Sequence, residues 1–206
     1  MADSGNERVQ RFGLDGRLLA FWGSHGNGPG QLEHPAGIAT DQQGNVYLTD
    51  TDTKQVLKFT SSGQPVTQWG RPGTGPGEFM YPLGIAIGAD SSVYVADQGN
   101  ARIQKFSSIG QVLRQWGDRG SDHGQFQRIV GIAVDPQGNV LVADAENNRV
   151  YQFSPDGTLL AESGTRGMLA GQFQGPAGVA VAANGSIYIS ELWNHRVQRL
   201  SNGGAP

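Results

Sequence analysis

The sequence predicts an all-β chain: a β-propeller of four-stranded antiparallel blades, laid down as four repeats of 47 residues. Three observations carry that prediction. Gly37-Ile38-Ala39 returns as Gly84-Ile85-Ala86, Gly131-Ile132-Ala133 and Gly178-Val179-Ala180, each step being 47 residues. Two aromatic positions keep the same step: Phe12, Phe59, Phe106 and Phe153, closed by Leu200, and Trp22, Trp69 and Trp116, with Ser163 in the fourth place. The 32 glycines, about twice ordinary usage, recur at fixed phase, as turn residues do. A period of this length, with several short strands per unit, is the mark of a blade. No segment keeps helical periodicity over three turns, which excludes a helical solenoid.

Each unit reads as four strands. The first is a short apolar run such as Gly131–Asp135. The second is Asn139–Asp144, matched by Asn45–Asp50, Ser92–Asp97 and Ser186–Glu191. Val, Ile, Tyr and Leu dominate it, which favours strand over helix. Apolar side chains fall on both of its faces, as in a strand covered on two sides. The third is Arg102–Phe106, with counterparts in every unit, and the fourth is Gln111–Trp116. Gly44, Gly138 and Gly185 mark a tight turn between first and second strands. Asp15-Gly16 and Asp156-Gly157 mark one between third and fourth. Pro65 lies in a fourth strand and cannot donate to a ladder, so the fourth strand is expected at the exposed edge.

The units span roughly 24–70, 71–117, 118–164 and 165–206, with 1–23 completing a blade, all in one domain. Met1-Ala2-Asp3 aligns with Val95-Ala96-Asp97, so the chain starts at the end of a second strand. The tail Ser201–Pro206 aligns with the turn before a fourth strand. Two arrangements follow: an open arc of a larger propeller, or a four-bladed ring closed by the N-terminal strands. The arc is favoured, because the ring leaves one third strand redundant. Uncapped repeat ends expose blade faces, so self-association, or partner chains covering those ends, is expected.

Composition narrows the function. Lys and Arg number 15 against 18 Asp and Glu, so no strong net field gathers polyanions. That argues against nucleic acid as the main partner, because phosphate-backbone affinity comes from clustered cations. There is no cysteine, hence no disulfide, thiol nucleophile or Cys-ligated zinc. The first ten residues are polar and carry no signal-peptide core. No apolar run approaches a membrane span, so a soluble chain is expected.

Within one unit the chain runs GQFQRIVGIAVDPQGNVLVADAENNRVYQFSPDG, and its neighbour runs GEFMYPLGIAIGADSSVYVADQGNARIQKFSSIG. This resembles the NHL repeat, whose pattern is a Gly-x-Phe lead-in to Gly-Ile-Ala, then Gly-Asn-Val-Tyr-Val-x-Asp, then Asn-x-Arg-Ile-Gln-x-Phe. The resemblance covers essentially the whole chain; WD and kelch repeats fit worse. It implies a propeller, commonly six-bladed, with binding on the face formed by the loops before strand one and between strands two and three. Members of that family range from protein- and RNA-binding domains to kinase sensor domains and a peptide-amidating lyase, so fold leaves function open.

The residues divide by whether they repeat. Asp97, Asn100 and Arg102 recur as Asp144, Asn147 and Arg149, as Glu191, Asn194 and Arg196, and as Asp3, Asn6 and Arg8. Such pairs at the mouths of one loop are read as structural braces. The copy with Asp50, Thr53 and Gln55 departs, so its loop is expected to be the least rigid. Trp22, Trp69 and Trp116 are read as packing between blades rather than as a carbohydrate platform. The informative positions are those that vary: His34, Tyr81, Arg128 and Gly175 before the first strands, and Thr51-Asp52, Gln98-Gly99, Ala145-Glu146 and Leu192-Trp193 after the second. His34, Tyr81, Arg128, Glu146 and Trp193 are the candidate partner-binding residues, of types common at binding hot spots. The four histidines, His25, His34, His123 and His195, do not share a repeat phase that would converge three ligands on a metal. No nucleophile elbow or phosphate loop appears. The expected function is therefore a non-catalytic scaffold for a protein, peptide or small polar ligand, without cofactor. The competitors are a metal-dependent lyase or lactonase-like enzyme and an RNA-binding domain.

Overall fold

A computed structural model describes residues 1–200 of the chain. It holds five antiparallel sheets. The first comprises β1 (Ala2–Asp3), β2 (Arg8–Phe12) and β3 (Leu18–Trp22). The second comprises β4 (Pro35–Thr40), β5 (Val46–Asp50), β6 (Gln55–Phe59) and β7 (Pro65–Trp69). The third comprises β8 (Pro82–Ile87), β9 (Val93–Asp97), β10 (Arg102–Phe106) and β11 (Val112–Trp116). The fourth comprises β12 (Ile129–Val134), β13 (Val140–Asp144), β14 (Arg149–Phe153) and β15 (Leu159–Ser163). The fifth comprises β16 (Pro176–Val181), β17 (Ile187–Glu191) and β18 (Arg196–Leu200). The spatial order in every sheet is the chain order. Pro65 begins β7, the outermost strand of its sheet, where its missing N–H costs nothing.

The N-terminal strands do not complete the last blade. In the ring alternative β3 would pair with β18; instead β3 pairs with β2, and β18 with β17. Among the described residues the chain is an arc of five sheets, the first and last carrying three strands each. Residues 201–206, the expected lead-in to a fourth strand, lie outside the described residues.

The core lies between the sheets and is divided accordingly. Val9, Leu32, Val46, Leu48, Leu57 and Phe59 join the first sheet to the second. Tyr47, Val56, Phe79, Ile85, Val95 and Phe106 join the second to the third. Two further clusters, around Phe126 and Phe153 and around Phe173 and Ile189, join the remaining pairs. This is why the middle strands lack the alternation of a half-solvated strand: β5, β9 and β13 are buried at all five positions. Each large side chain so buried contributes roughly 1.5–3 kcal/mol. The tryptophans stitch neighbours together, Trp22 onto Phe59 at 6.3 Å, Trp69 onto Phe106 at 5.9 Å and Trp116 onto Phe153 at 6.0 Å. Gly63 makes room for this. It sits at φ +86°, and a Cβ there would lie 2.6 Å from the Trp22 ring.

At the inner edge the first strands stand side by side, β4 by β8, β8 by β12 and β12 by β16. The repeated glycine sets that spacing. A Cβ on Gly37 would lie 2.2 Å from the Leu83 carbonyl oxygen, one on Gly84 2.7 Å from that of Val130, and one on Gly131 2.3 Å from that of Ala177. Gly178 meets only the Ser190 hydroxyl. The outer faces of the end sheets are correspondingly open. Tyr188 is 39% exposed where its equivalents Tyr47 and Tyr94 are closed off, and Phe12 is 42% exposed where Phe59 and Phe106 are buried.

Candidate binding face

The site is built on the repeated acid at the end of each second strand. The buried Asp50 carboxylate accepts from the backbone N–H groups of Glu33 and His34 before the first strand, and from those of Asp52 and Thr53 after the second. Asp144 does the same with Gln127, Arg128, Glu146 and Asn147. Asp97 holds Met80 and Tyr81, and Glu191 holds Gln174. One carboxylate thus ties the lead-in segment to the loop between second and third strands, and puts both sets of variable residues on one face. Burial alone would push the Glu191 carboxyl up; bonds from Arg196, the Gln174 N–H and the Gln198 and Asn194 amides outweigh it and hold its pKa below the ordinary value.

The arginines act on the linkers. Arg102 is buried and uses all five of its N–H donors: one to Asp97 at 3.1 Å, two to the Thr74 carbonyl and Gln115, and two to the carbonyls of Gly75 and Glu78. Arg196 pairs with Glu191 at 2.6 Å and reaches the carbonyls of Met168, Leu169 and Gln172. Arg8 pairs with Asp3 at 2.9 Å. The expected pairing of Asp144 with Arg149 is not made. Arg149 turns instead to the Ser121 carbonyl and to Glu162, 3.7 Å away. The difference arises at the fourth strand: Glu162 stands where the preceding unit has Gln115, and a carboxylate draws the guanidinium across. The copy without an arginine keeps its loop through Asp50 and through Lys54, whose Nζ donates to the Thr51 carbonyl; its Thr53 hydroxyl is buried without a partner.

His34, Tyr81, Arg128, Glu146 and Trp193 are all exposed on this face. The structure brings some of them into company. Lys54 lies over the Tyr81 ring at 5.6 Å. Trp193 lies against Gly175, where a Cβ would come within 2.6 Å of the indole. The blade with no side chain before its first strand is therefore the one whose loop carries a tryptophan. Glu146 and Trp193 line one cleft of about 290 Å³ between the fourth and fifth sheets, with Ala145, Asn148, Arg166 and Gln174. His34 stands on the second blade, and Arg128 leads into the fourth but does not line the cleft. His25 and His123 are occupied on the linkers, each 2.9 Å from a carboxylate, Glu7 and Glu162 respectively. Among the described residues no three His, Asp or Glu side chains come together as a group that could hold a metal.

Lys54, Asn148 and Arg166 were not singled out from the sequence. Lys54 and Asn148 belong to a series with Glu7, Ala101 and His195, one per blade, all at φ between 50° and 59°. That regular left-handed position holds a different residue in each copy, buried in the case of Ala101. Its 47-residue step was visible; its conformation was not. Arg166 belongs to the linker, where His25, Pro72 and Arg119 hold the same bridge position.

Fold and face together define a repeat protein of propeller class, with constant residues spent on bracing and variable ones displayed. The family model for the NHL repeat matches residues 126–153 and 173–200, and one for a six-bladed β-propeller family matches residues 31–116. The chain thus carries NHL repeats within a β-propeller fold. No curated protein matches the sequence. Among solved structures, a catalytically inactive virginiamycin B lyase from Staphylococcus aureus with quinupristin is similar at TM-score 0.72 and 17% identity, over 98% of this chain and 62% of that one. A streptogramin B lyase is similar at TM-score 0.68 and 16% identity, over 98% and 64%. A nidogen–laminin complex is similar at 0.62 and 21%, over 81% and 60%. At these identities the likeness is one of fold. The chain spans less than two thirds of the length of those structures. Among the described residues no helix is long and apolar enough to cross a membrane.

Proposed function

We propose that the chain is a non-catalytic binding platform whose loop face takes a protein or peptide partner. One observation supports this above others. The constant polar residues are consumed inside the fold, as the five-donor grip of Arg102 illustrates, whereas the variable Tyr81, Arg128, Glu146 and Trp193 are exposed together on one face. Aromatic and arginine side chains on a rigid base bind with little ordering cost. The nidogen–laminin complex offers a fold-level parallel for protein partners.

The test is a selection of displayed peptides on the purified chain. Tyr81→Ala and Trp193→Ala are expected to weaken the selected peptides at least about tenfold, roughly 1.4 kcal/mol each, with an unchanged melting temperature. Gln42→Ala and Gln137→Ala, at the opposite ends of the strands, are expected to leave binding intact. Peptides indifferent to Tyr81 and Trp193 would overturn the reading. An enzyme of lyase or lactonase-like type draws only on fold likeness to the two lyases; stoichiometric zinc or calcium in elemental analysis would favour it instead.

A further inference from the structure

The cleft between the fourth and fifth sheets holds opposite charges that do not meet. Glu146 and Arg166 both line it. No hydrogen bond or ion pair within the described residues occupies the Glu146 carboxylate, whose residue is engaged only through its backbone N–H and carbonyl. None occupies the Arg166 guanidinium, although the backbone of Arg166 is anchored by its bridge to Phe173. Elsewhere on the linkers such groups find partners, as Arg71 does with Glu78 at 2.9 Å.

The walls of the cleft are prearranged. Trp193 is backed by Gly175, and its backbone N–H donates to the Gln174 carbonyl at 3.3 Å. Asn148 is fixed from both ends of its amide. Its Oδ1 accepts from the Gly175 N–H at 3.2 Å, and its Nδ2 donates to the Glu146 carbonyl at 2.9 Å. An aromatic wall with an unspent carboxylate and an unspent guanidinium suits an amphipathic guest that carries both signs of charge. The volume, about 290 Å³, fits a small segment rather than a folded surface.

We infer that this cleft is a subsite for a peptide segment in which an aromatic side chain is flanked by one cationic and one anionic side chain. The ring stacks on Trp193, the cation meets Glu146 and the anion meets Arg166. The inference rests on the loop-face reading and specifies its ligand.

The test uses capped tripeptides with a central phenylalanine, titrated into the isotopically labelled chain by nuclear magnetic resonance. The flanking pairs are lysine with aspartate in both orders, two lysines, two aspartates and two serines. The better mixed-charge peptide is expected to bind at least about fivefold tighter than any of the other three and to shift the Trp193 indole signal. Glu146→Gln should abolish its advantage over the dianionic peptide, and Arg166→Gln its advantage over the dicationic one. Exchanging the charges, Glu146→Arg with Arg166→Glu, should restore the preference for mixed charge. Equal binding of all peptides, no binding of any, or a ranking unmoved by these variants would overturn the inference. Displayed peptides that depend on Tyr81 but not on Glu146 or Arg166 would overturn it while leaving the platform reading standing; peptides indifferent to the whole face would remove both.

Discussion

Arg102 and Arg8 occupy the same repeat position with very different stakes. Arg102 is buried beside a fully buried Asp97 and ties down three linker carbonyls. Removing it leaves the buried Asp97 carboxylate with the Met80 and Tyr81 N–H groups and Asn100 but without its counter-charge, and breaking a buried pair from one side costs about 3–5 kcal/mol. Arg8 and Asp3 are part-exposed, where solvent screening leaves an ion pair much weaker. Arg102→Ala is therefore expected to lower stability by about 3–5 kcal/mol in urea denaturation, and Arg8→Ala to lower it far less. Equal losses would show that burial does not set the strength of the brace. The sequence showed both as one motif. It could not show which copy has neighbours on both sides, since that depends on place along the arc rather than on local pattern.

Blade contact depends on glycines that read in the sequence as ordinary strand residues. A methyl at Gly131 would collide with the backbone of the next blade at the Ala177 carbonyl. Backbone cannot rotate away, so Gly131→Ala is expected to cost about 1–3 kcal/mol or more by overpacking. At Gly178 the nearest obstacle is the Ser190 hydroxyl, the end of a side chain that can turn. Gly178→Ala is expected to cost less than about 1 kcal/mol by the same measure. If Gly178→Ala proves as damaging as Gly131→Ala, close approach between first strands is not what the glycine serves. The strands themselves were legible from β-branched and aromatic runs punctuated by turn residues. The partner of each face was not, because a period states that units are alike and leaves unsaid how closely they dock.

At the scale of the whole molecule the two end sheets leave their outer faces uncovered. Tyr188 and Val197 on one and Phe12 on the other are exposed where equivalents within the arc are packed. Apolar faces of this kind associate. We expect the 206-residue chain to self-associate as its concentration rises, seen as a mass above 21.9 kDa by light scattering after size exclusion. Tyr188→Lys with Val197→Lys is expected to reduce it. A strictly monomeric chain at high concentration would refute the proposal. The loop face was legible as a class of positions, the repeated acids lying buried beneath it and the unrepeated His34, Tyr81, Arg128, Glu146 and Trp193 exposed on it. The cleft of Glu146, Arg166 and Trp193 was not, because its walls come from a loop, a linker and the next blade.

The sequence by itself determined the repeating unit, its four strands, their turns and the positions that vary, because each of these is written within 47 residues of chain. Only the tertiary structure decided that β3 stays with β2 rather than closing on β18, that Arg149 leaves Asp144 for Glu162, and which charges are left unspent. These outcomes turn on competition between groups far apart in the chain. Distance and burial in the folded molecule settle such competition, and local pattern does not encode it.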